Sequence, residues 1–465
     1  MKAALTPPLL RQHSAARRKH DKVHSLFVLF LSCGLSVALP FVAGGCAPSL
    51  DLTRIAPASA GFDAARLDAI HAHLARAVSE RRIPGAVALV ARDGRVAYVD
   101  TVGAADVEKS TPMAPDTIFR IANMTKPITS AAAMILVDDG VLKLSDPVSN
   151  YIPEFKDPLV LVGDGQDADG RPRYKTVRAR REVLVQDLLT HTSGIAYGFS
   201  ASPRLAELYA KAGVTDGLTQ AEGDLAGHIA RLGQLPLENQ PGEAWKYGLS
   251  IDVLGRVIEV ASMKPLDRFL EQRIFKPLGM VDTHFFLPPE KVQRLAALYA
   301  LGDDRMFRRV GEEPVTAGSV VYSASCPYKG PKSYFSGGAG LVSTARDYLR
   351  FLQMLLNRGE LDGTRILKPE TVDHMCKNQI GDLPYGPVHG DKFGFGFGVV
   401  VNPSKEKEAA PVGTISWGGI YNTYFWVDPK NRIIGLLLMQ LYPEGSLTIR
   451  EDFMDLVYKA FESRT

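Results

Sequence analysis

Cysteine is scarce in this chain, with four residues among 465. Cys33 and Cys46 fall in an N-terminal stretch that reads as a targeting segment, which leaves Cys326 and Cys376 in the body. Two thiols make no disulfide framework, and the sequence leaves open whether this pair bridges. A strong charge of one sign is also missing, since 54 basic residues face 51 acidic ones. No basic stripe stands out beyond the N-terminal segment, so a nucleic-acid partner is not expected. There is no His-Glu-x-x-His, and that route to zinc hydrolysis lacks support. A complete Gly-x-Ser-x-Gly is absent too, because Gly248-Leu249-Ser250-Ile251-Asp252 lacks the second glycine. Internal repeats and extended low-complexity tracts are not found. No metal or organic cofactor is implied.

What is present is an ordinary globular composition, 46% hydrophobic and 23% charged. The chain opens with Arg11, Arg17, Arg18, Lys19 and Lys22, followed by an apolar run from Ser25 to Val42 and then Ala43-Gly44-Gly45-Cys46. A positive head, an apolar stretch and small residues form an export signal. Residues 25–46 are also a possible membrane tether, because a span needs about 20 apolar residues. Ala-Gly-Gly-Cys resembles a lipoprotein cleavage site, which would make Cys46 a lipidated first residue. The expected location is therefore exported, periplasmic or membrane-anchored, with residues 1–46 as signal or anchor and 47–465 as the enzyme-like domain.

Asp63 can cap a helix carrying Leu67, Ile70, Leu74 and Val78 at helical spacing. Ala86–Val90 and Val96–Val99 flank Arg92-Asp93-Gly94-Arg95 as a hairpin, and Tyr424–Val427 with Ile433–Leu438 flank Asp428-Pro429-Lys430-Asn431 as a second. A last helix is expected near Ile449–Phe461. The fold class is thus α/β (α+β), an antiparallel sheet packed by terminal helices plus a mainly helical lobe. The sheet lobe is expected at about 60–120 and 330–465, and the helical lobe at about 121–330. Between Leu159 and Leu184 a polar excursion carries Asp164, Asp167 and Asp169. It lacks the Glu that closes a calcium loop, and a solvated turn is the better reading.

Candidate chemistry concentrates in Phe119-Arg120-Ile121-Ala122-Asn123-Met124-Thr125-Lys126-Pro127. Ile128, Ala132, Ile135 and Leu136 then give helical periodicity ending at Gly140. Position 123 therefore stands at a helix start, where free N–H groups favour a developing oxyanion. Lys126 follows one turn later on the same face. Asp187, His191 and Ser193 lie too close along one turn to face each other as a triad. Ser404 and Lys407 repeat the Ser-x-x-Lys spacing by chance, in a charged loop.

The 119–127 segment resembles the Ser-x-x-Lys active-site segment of penicillin-recognising serine hydrolases, closest to β-lactamase-like (family VIII) carboxylesterases related to class C β-lactamases. Asn123 stands at the nucleophile position. Asp187-Leu188-Leu189-Thr190-His191-Thr192-Ser193-Gly194, Trp245-Lys246-Tyr247-Gly248, Pro277-Leu278-Gly279-Met280, Ser336–Leu341 and Trp417-Gly418-Gly419 follow in the family's order. The resemblance implies a β-lactamase/transpeptidase-like fold and a small-molecule ester or amide substrate. It implies a proton-shuttling Tyr247 beside Lys126, and an oxyanion hole from the N–H groups of residue 123 and Ile420, next to Trp417, Gly418 and Gly419. β-Lactamases often carry Lys-Thr-Gly where this chain has Trp417-Gly418-Gly419. Trp417 offers no charge-assisted bond to a β-lactam carboxylate, which favours neutral esters over a β-lactamase or D-alanyl peptidase role.

Asparagine has no hydroxyl to deprotonate, and its amide nitrogen is delocalised into the carbonyl. The chain as written is therefore expected to be inactive or strongly impaired in acyl-enzyme chemistry. Three readings stay open: a silenced variant of a serine enzyme, a natural ligand-binding pseudoenzyme, and altered chemistry run by Lys126 and Tyr247. Ser130, about two turns beyond residue 123, is not expected to substitute.

Overall fold

The computed structural model describes residues 51–386, 391–402, 410–443 and 448–461. The export segment with Cys46, and the Ser404–Lys407 repeat, lie outside the described residues. Among the described residues no helix is long and apolar enough to cross a membrane.

Strand β1 spans Asp51–Arg54, β2 Gly85–Arg92, β3 Arg95–Asp106, β4 Lys392–Phe393, β5 Gly398–Val399, β6 Ile415–Gly419, β7 Thr423–Asp428 and β8 Ile433–Leu438. They form one sheet in the order β1-β3-β2-β8-β7-β6-β5-β4, with Thr111–Pro112 pairing beside β3. Every pairing along that order is antiparallel except β1 with β3. The β2–β3 hairpin turns through Asp93 and Gly94, both with positive φ, the twist a two-residue hairpin needs. The central pairing joins the two ends of the chain, since β2 lies against β8 from Val87↔Leu438 to Arg92↔Ile433.

Alternation along a strand sends successive side chains to opposite faces, and β2 shows it. Ala86, Ala88 and Val90 pack in one buried cluster with Leu67, Ile70 and Leu74 of helix α1 (Ala64–Ser79). Phe453 and Val457 of the C-terminal helix α5 (Ile449–Ala460) join the same cluster. Val87, Leu89 and Ala91 face the other way into a larger core. That core holds helix α2 (Thr125–Asp138), helix α3 (Ser250–Ser262) and helix α4 (Ala345–Leu356). Asp63 caps α1 by accepting from Arg66 N at 2.9 Å, as its position before the apolar stripe implies.

The sheet strands come from residues 51–112 and 392–438, and most of the helical segments lie between. The polar excursion is a hairpin, Leu159–Gln166 against Pro172–Arg178. Asp164 is occupied there by Arg173 and Lys175 at 3.0 and 2.8 Å.

Candidate active site

Two adjacent features create the turn that presents residue 123. Phe119–Arg120 pairs with Val342–Ser343, and the buried Arg120 guanidinium donates to Ala296 O at 2.8 Å, to Gln440 Oε1 at 3.0 Å and to Ala324 O. The strand end is thereby fixed. Ala122 then takes φ 43°, a left-handed conformation that costs a residue with a Cβ about 1–2 kcal/mol. A short 3-10 turn over Ala122–Met124 leads directly into α2. Asn123 is left half-buried on this sharp bend.

Lys126 has no exposed surface. Its ammonium donates to Tyr197 Oη at 2.8 Å, to the Gly338 carbonyl at 2.9 Å and to Asn123 Oδ1 at 3.2 Å. An ammonium has three donors, and all three have a place here. The Gly338 segment is itself bound to α2: Thr129 Oγ1 donates to Gly337 O at 2.8 Å, and Leu341 N donates to Thr125 Oγ1 at 3.1 Å.

The structure brings two tyrosines to Lys126: Tyr197, whose hydroxyl takes this bond, and Tyr247, which lies beside Lys126 as the motif implies. Tyr247 presents its ring face to the ammonium, 4.7 Å from centroid to Nζ. It also packs against His191, Tyr197, Trp245 and Trp417, at centroid distances of 4.9, 5.3, 5.9 and 5.7 Å. Tyr247 lies just ahead of α3 in an aromatic stack, and Tyr197 follows the turn at Gly194. Tyr197 stands three residues after Gly194 in a motif that the sequence reading had already singled out. Burial first, then Tyr247, Asp252 and Asp216, push its phenol well above the usual tyrosine range. Its phenol is therefore held in the protonated form.

Trp417, Gly418 and Gly419 end strand β6 opposite Phe425, Tyr424 and Thr423. A Cβ on Gly419 would lie 2.4 Å from Thr423 Oγ1 and 2.5 Å from Ile121 O, so only glycine admits this strand end beside the residue-123 turn. Ile420 and Ala122 share one apolar cluster. The two backbone segments expected to supply oxyanion donors are thus neighbours. Trp417 is buried, its ring 5.3 Å from Phe393.

The residues dismissed as a triad are occupied elsewhere. Asp187 binds Arg181 at 2.6 and 3.0 Å, Gly248 N donates to His191 Nδ1 at 3.4 Å, and Ser193 shares a hydroxyl contact with Ser250 at 2.9 Å. Burial, and next Lys126, hold His191 well below the usual imidazole range, so it stays neutral. Ser130 is fully buried, with its hydroxyl against Gly396. Cys326 and Cys376 are both free thiols, pushed up to about 11 and about 12 by burial.

Behind Lys126 lies a group the sequence reading missed. Asp252 on α3 is completely buried, and its Oδ1 accepts from Ser336 Oγ at 2.6 Å and from Gly338 N at 3.3 Å. Asp216 accepts from Gly198 N at 3.3 Å. Only Gly248-Leu249-Ser250-Ile251-Asp252, read as a failed nucleophile elbow, had drawn notice to this stretch.

Comparison with known proteins follows the same lines. The Beta-lactamase family model matches residues 69–459. Protein Rv1367c of Mycobacterium tuberculosis is 37% identical over 393 residues, covering 82% of this chain and 92% of its own. Esterase EstB of Burkholderia gladioli is 36% identical over 407 residues, covering 86% and 95%. Among solved structures, EstCE1, described as a hydrolase with promiscuous acyltransferase activity, superposes with TM-score 0.73 at 29% identity, over 85% of this chain and 99% of its own.

Proposed function

Because the chain belongs to the β-lactamase family, in a branch with esterase and acyltransferase relatives, we propose that its cleft binds a small neutral carboxylic ester. We further propose that Asn123 blocks the acylation step that a serine would perform there. The observation that carries this reading is the contact of Lys126 Nζ with the side-chain oxygen of residue 123 at 3.2 Å, with Tyr197 at 2.8 Å. A serine hydroxyl at this place would give its proton to Lys126 in its neutral amine form, with Tyr197 as relay. Its oxygen would then attack the ester carbonyl. The leaving alkoxide would take back the proton, and water or an alcohol would release the acyl group. Asparagine offers only an acceptor oxygen to Lys126, so the bond runs the other way and no nucleophile forms.

Trp417 supports the neutral-ester assignment, since the strand beside the cleft carries no cation at that position. The N–H groups of residue 123 and Ile420 are assigned to the oxyanion. The export reading of residues 1–46 belongs to the same proposal, and cell fractionation with Cys46→Ala tests it: loss of membrane association identifies Cys46 as the anchor.

The deciding experiment is hydrolysis of a short-chain p-nitrophenyl ester by the chain as written and by Asn123→Ser. Turnover with an acylation burst in the serine form alone supports the reading. Equal turnover in both removes residue 123 from the nucleophile role. No turnover in either, with the fold intact, removes the ester assignment.

A further inference from the structure

Arg120 fixes the strand end before Ala122, and it also carries a charge that nothing around it balances. It is 6% exposed, and burial lowers the guanidinium to about 10, which leaves it cationic at neutral pH. Four of its five N–H donors are used. Nη1 donates to Ala296 O at 2.8 Å and to Gln440 Oε1 at 3.0 Å, while Nε and Nη2 both donate to Ala324 O. The fifth meets no acceptor among the described residues, and every acceptor used is neutral. After burial, the groups that act on Arg120 most are Tyr421, Tyr328, Cys326 and a second cation, Arg309. None of them is a carboxylate. Neutral acceptors satisfy the hydrogen bonds but leave the charge, and buried charges are ordinarily paired.

The guanidinium lines a cavity of about 550 Å³, within the size range of small-molecule sites. Val292, Leu295, Ala297 and Val310 supply apolar wall there, and Gln293 and Tyr328 supply polar groups. The charged lining consists of the cations Arg120, Lys109 and Arg309 and the carboxylates Asp106 and Glu312. Both carboxylates are taken. Asp106 holds Arg309, which also reaches Glu108 at 3.3 Å, and lies 3.6 Å from Lys109. Glu312 holds Lys329. The charge left over is that of Arg120. None of Asn123, Lys126, Tyr197 and Trp417 lines this cavity.

We propose that the cavity is a second binding site, for an organic monocarboxylate that pairs with Arg120 and lays a short apolar tail along Val292, Leu295 and Val310. One unbalanced positive charge calls for a monoanion, and Asp106 and Glu312 disfavour a dianion such as phosphate. The apolar wall calls for a tail, since each buried CH₂ strengthens binding about fourfold. Ester hydrolysis releases acids of this class, but the site rests on Arg120 and its cavity and not on the reaction proposed above.

Calorimetric titration of the chain as written with hexanoate tests this. Hexanoate should bind at least about tenfold tighter than hexanamide, the scale of a hydrogen bond to a charged group. It should also bind at least about tenfold tighter than acetate, which lacks the tail, and tighter than inorganic phosphate. Its affinity should be unchanged in Lys126→Met; a loss there would place the acid in the cleft and overturn the proposal. In Arg120→Gln the preference for hexanoate over hexanamide should vanish. Lys109 is 73% exposed, so Lys109→Glu leaves the core untouched and decides the matter if Arg120→Gln does not fold. It should weaken hexanoate about threefold or more and leave hexanamide unchanged. Absent binding, equal binding of hexanamide or acetate, or phosphate as the tighter ligand overturns the proposal, as does a hexanoate affinity that Lys109→Glu does not lower. Failure of Asn123→Ser to hydrolyse any ester would count against the function and leave this result standing.

Discussion

The interior half of the site and its cleft half are built to different standards. On the interior side, Lys126 and Tyr197 are joined by a hydrogen bond of 2.8 Å, and Ser336 and Gly338 both donate to one oxygen of Asp252. On the cleft side, the strained turn at Ala122 and the close approach of Gly419 are in place, and residue 123 is a carboxamide where the proposed function needs a hydroxyl. The difference teaches that the packing of α2, α3 and the 336–341 segment places two of the three Lys126 contacts, and residue 123 supplies the third.

The sharpest way to break this comparison is to restore the hydroxyl. In Asn123→Ser, we expect p-nitrophenyl ester hydrolysis to rise by about 10³-fold or more over the chain as written, the scale on which a missing nucleophile is felt. In that serine background, Tyr197→Phe should lower kcat by about 10²–10⁴-fold, the range for a lost proton-transfer group. Tyr247→Phe should cost about tenfold or less, because it keeps the ring that lies 4.7 Å from the Lys126 ammonium. Equal losses in the two phenylalanine variants would return the relay role to Tyr247.

A smaller effect concerns stability against pH. The carboxyl of Asp216 titrates near 6 in the folded chain against about 3.9 when unfolded. Between these values the folded state binds more protons, so stability falls as pH rises from about 4 to 6 and then levels off. The full offset is on the order of 2–3 kcal/mol before solvent screening. Denaturant midpoints measured across that window should show the decline, and Asp216→Asn should flatten it. Asp63→Ala should cost about 1 kcal/mol through the lost α1 cap and leave ester hydrolysis in the Asn123→Ser background untouched. A change of hydrolysis in that variant would show that the two regions are coupled.

Much of the architecture was legible from local signals. The Asp63 cap, the Asp93-Gly94 turn, the two hairpins and the C-terminal helix each follow from residues close in sequence, and position 123 with Lys126 follows from helical spacing. The β2–β8 pairing, which closes the sheet from both chain ends, has no local signature. Tyr197 carries no signal of its own in the sequence: its contact with Lys126 spans 71 residues and is made from the turn after Gly194, while the Trp245–Gly248 motif points to Tyr247. Asp252 was hidden for a related reason. Its partners Ser336 and Gly338 lie 84 and 86 residues away, and an aspartate inside an apolar helix carries no periodic mark of these contacts.

The hydrogen bond from Lys126 to Asn123 has one more consequence. A carboxamide oxygen receives a hydrogen bond but has no ionisable proton of its own to hand back. The run of groups from Tyr197 through Lys126 therefore stops at the cleft wall, like a conductor ending in an insulator. Events in the cleft can alter the field at Lys126 but cannot exchange a proton with it through residue 123. In this chain the contact between Lys126 and residue 123 passes no proton, and a hydroxyl in place of the amide at that one bend would let it do so.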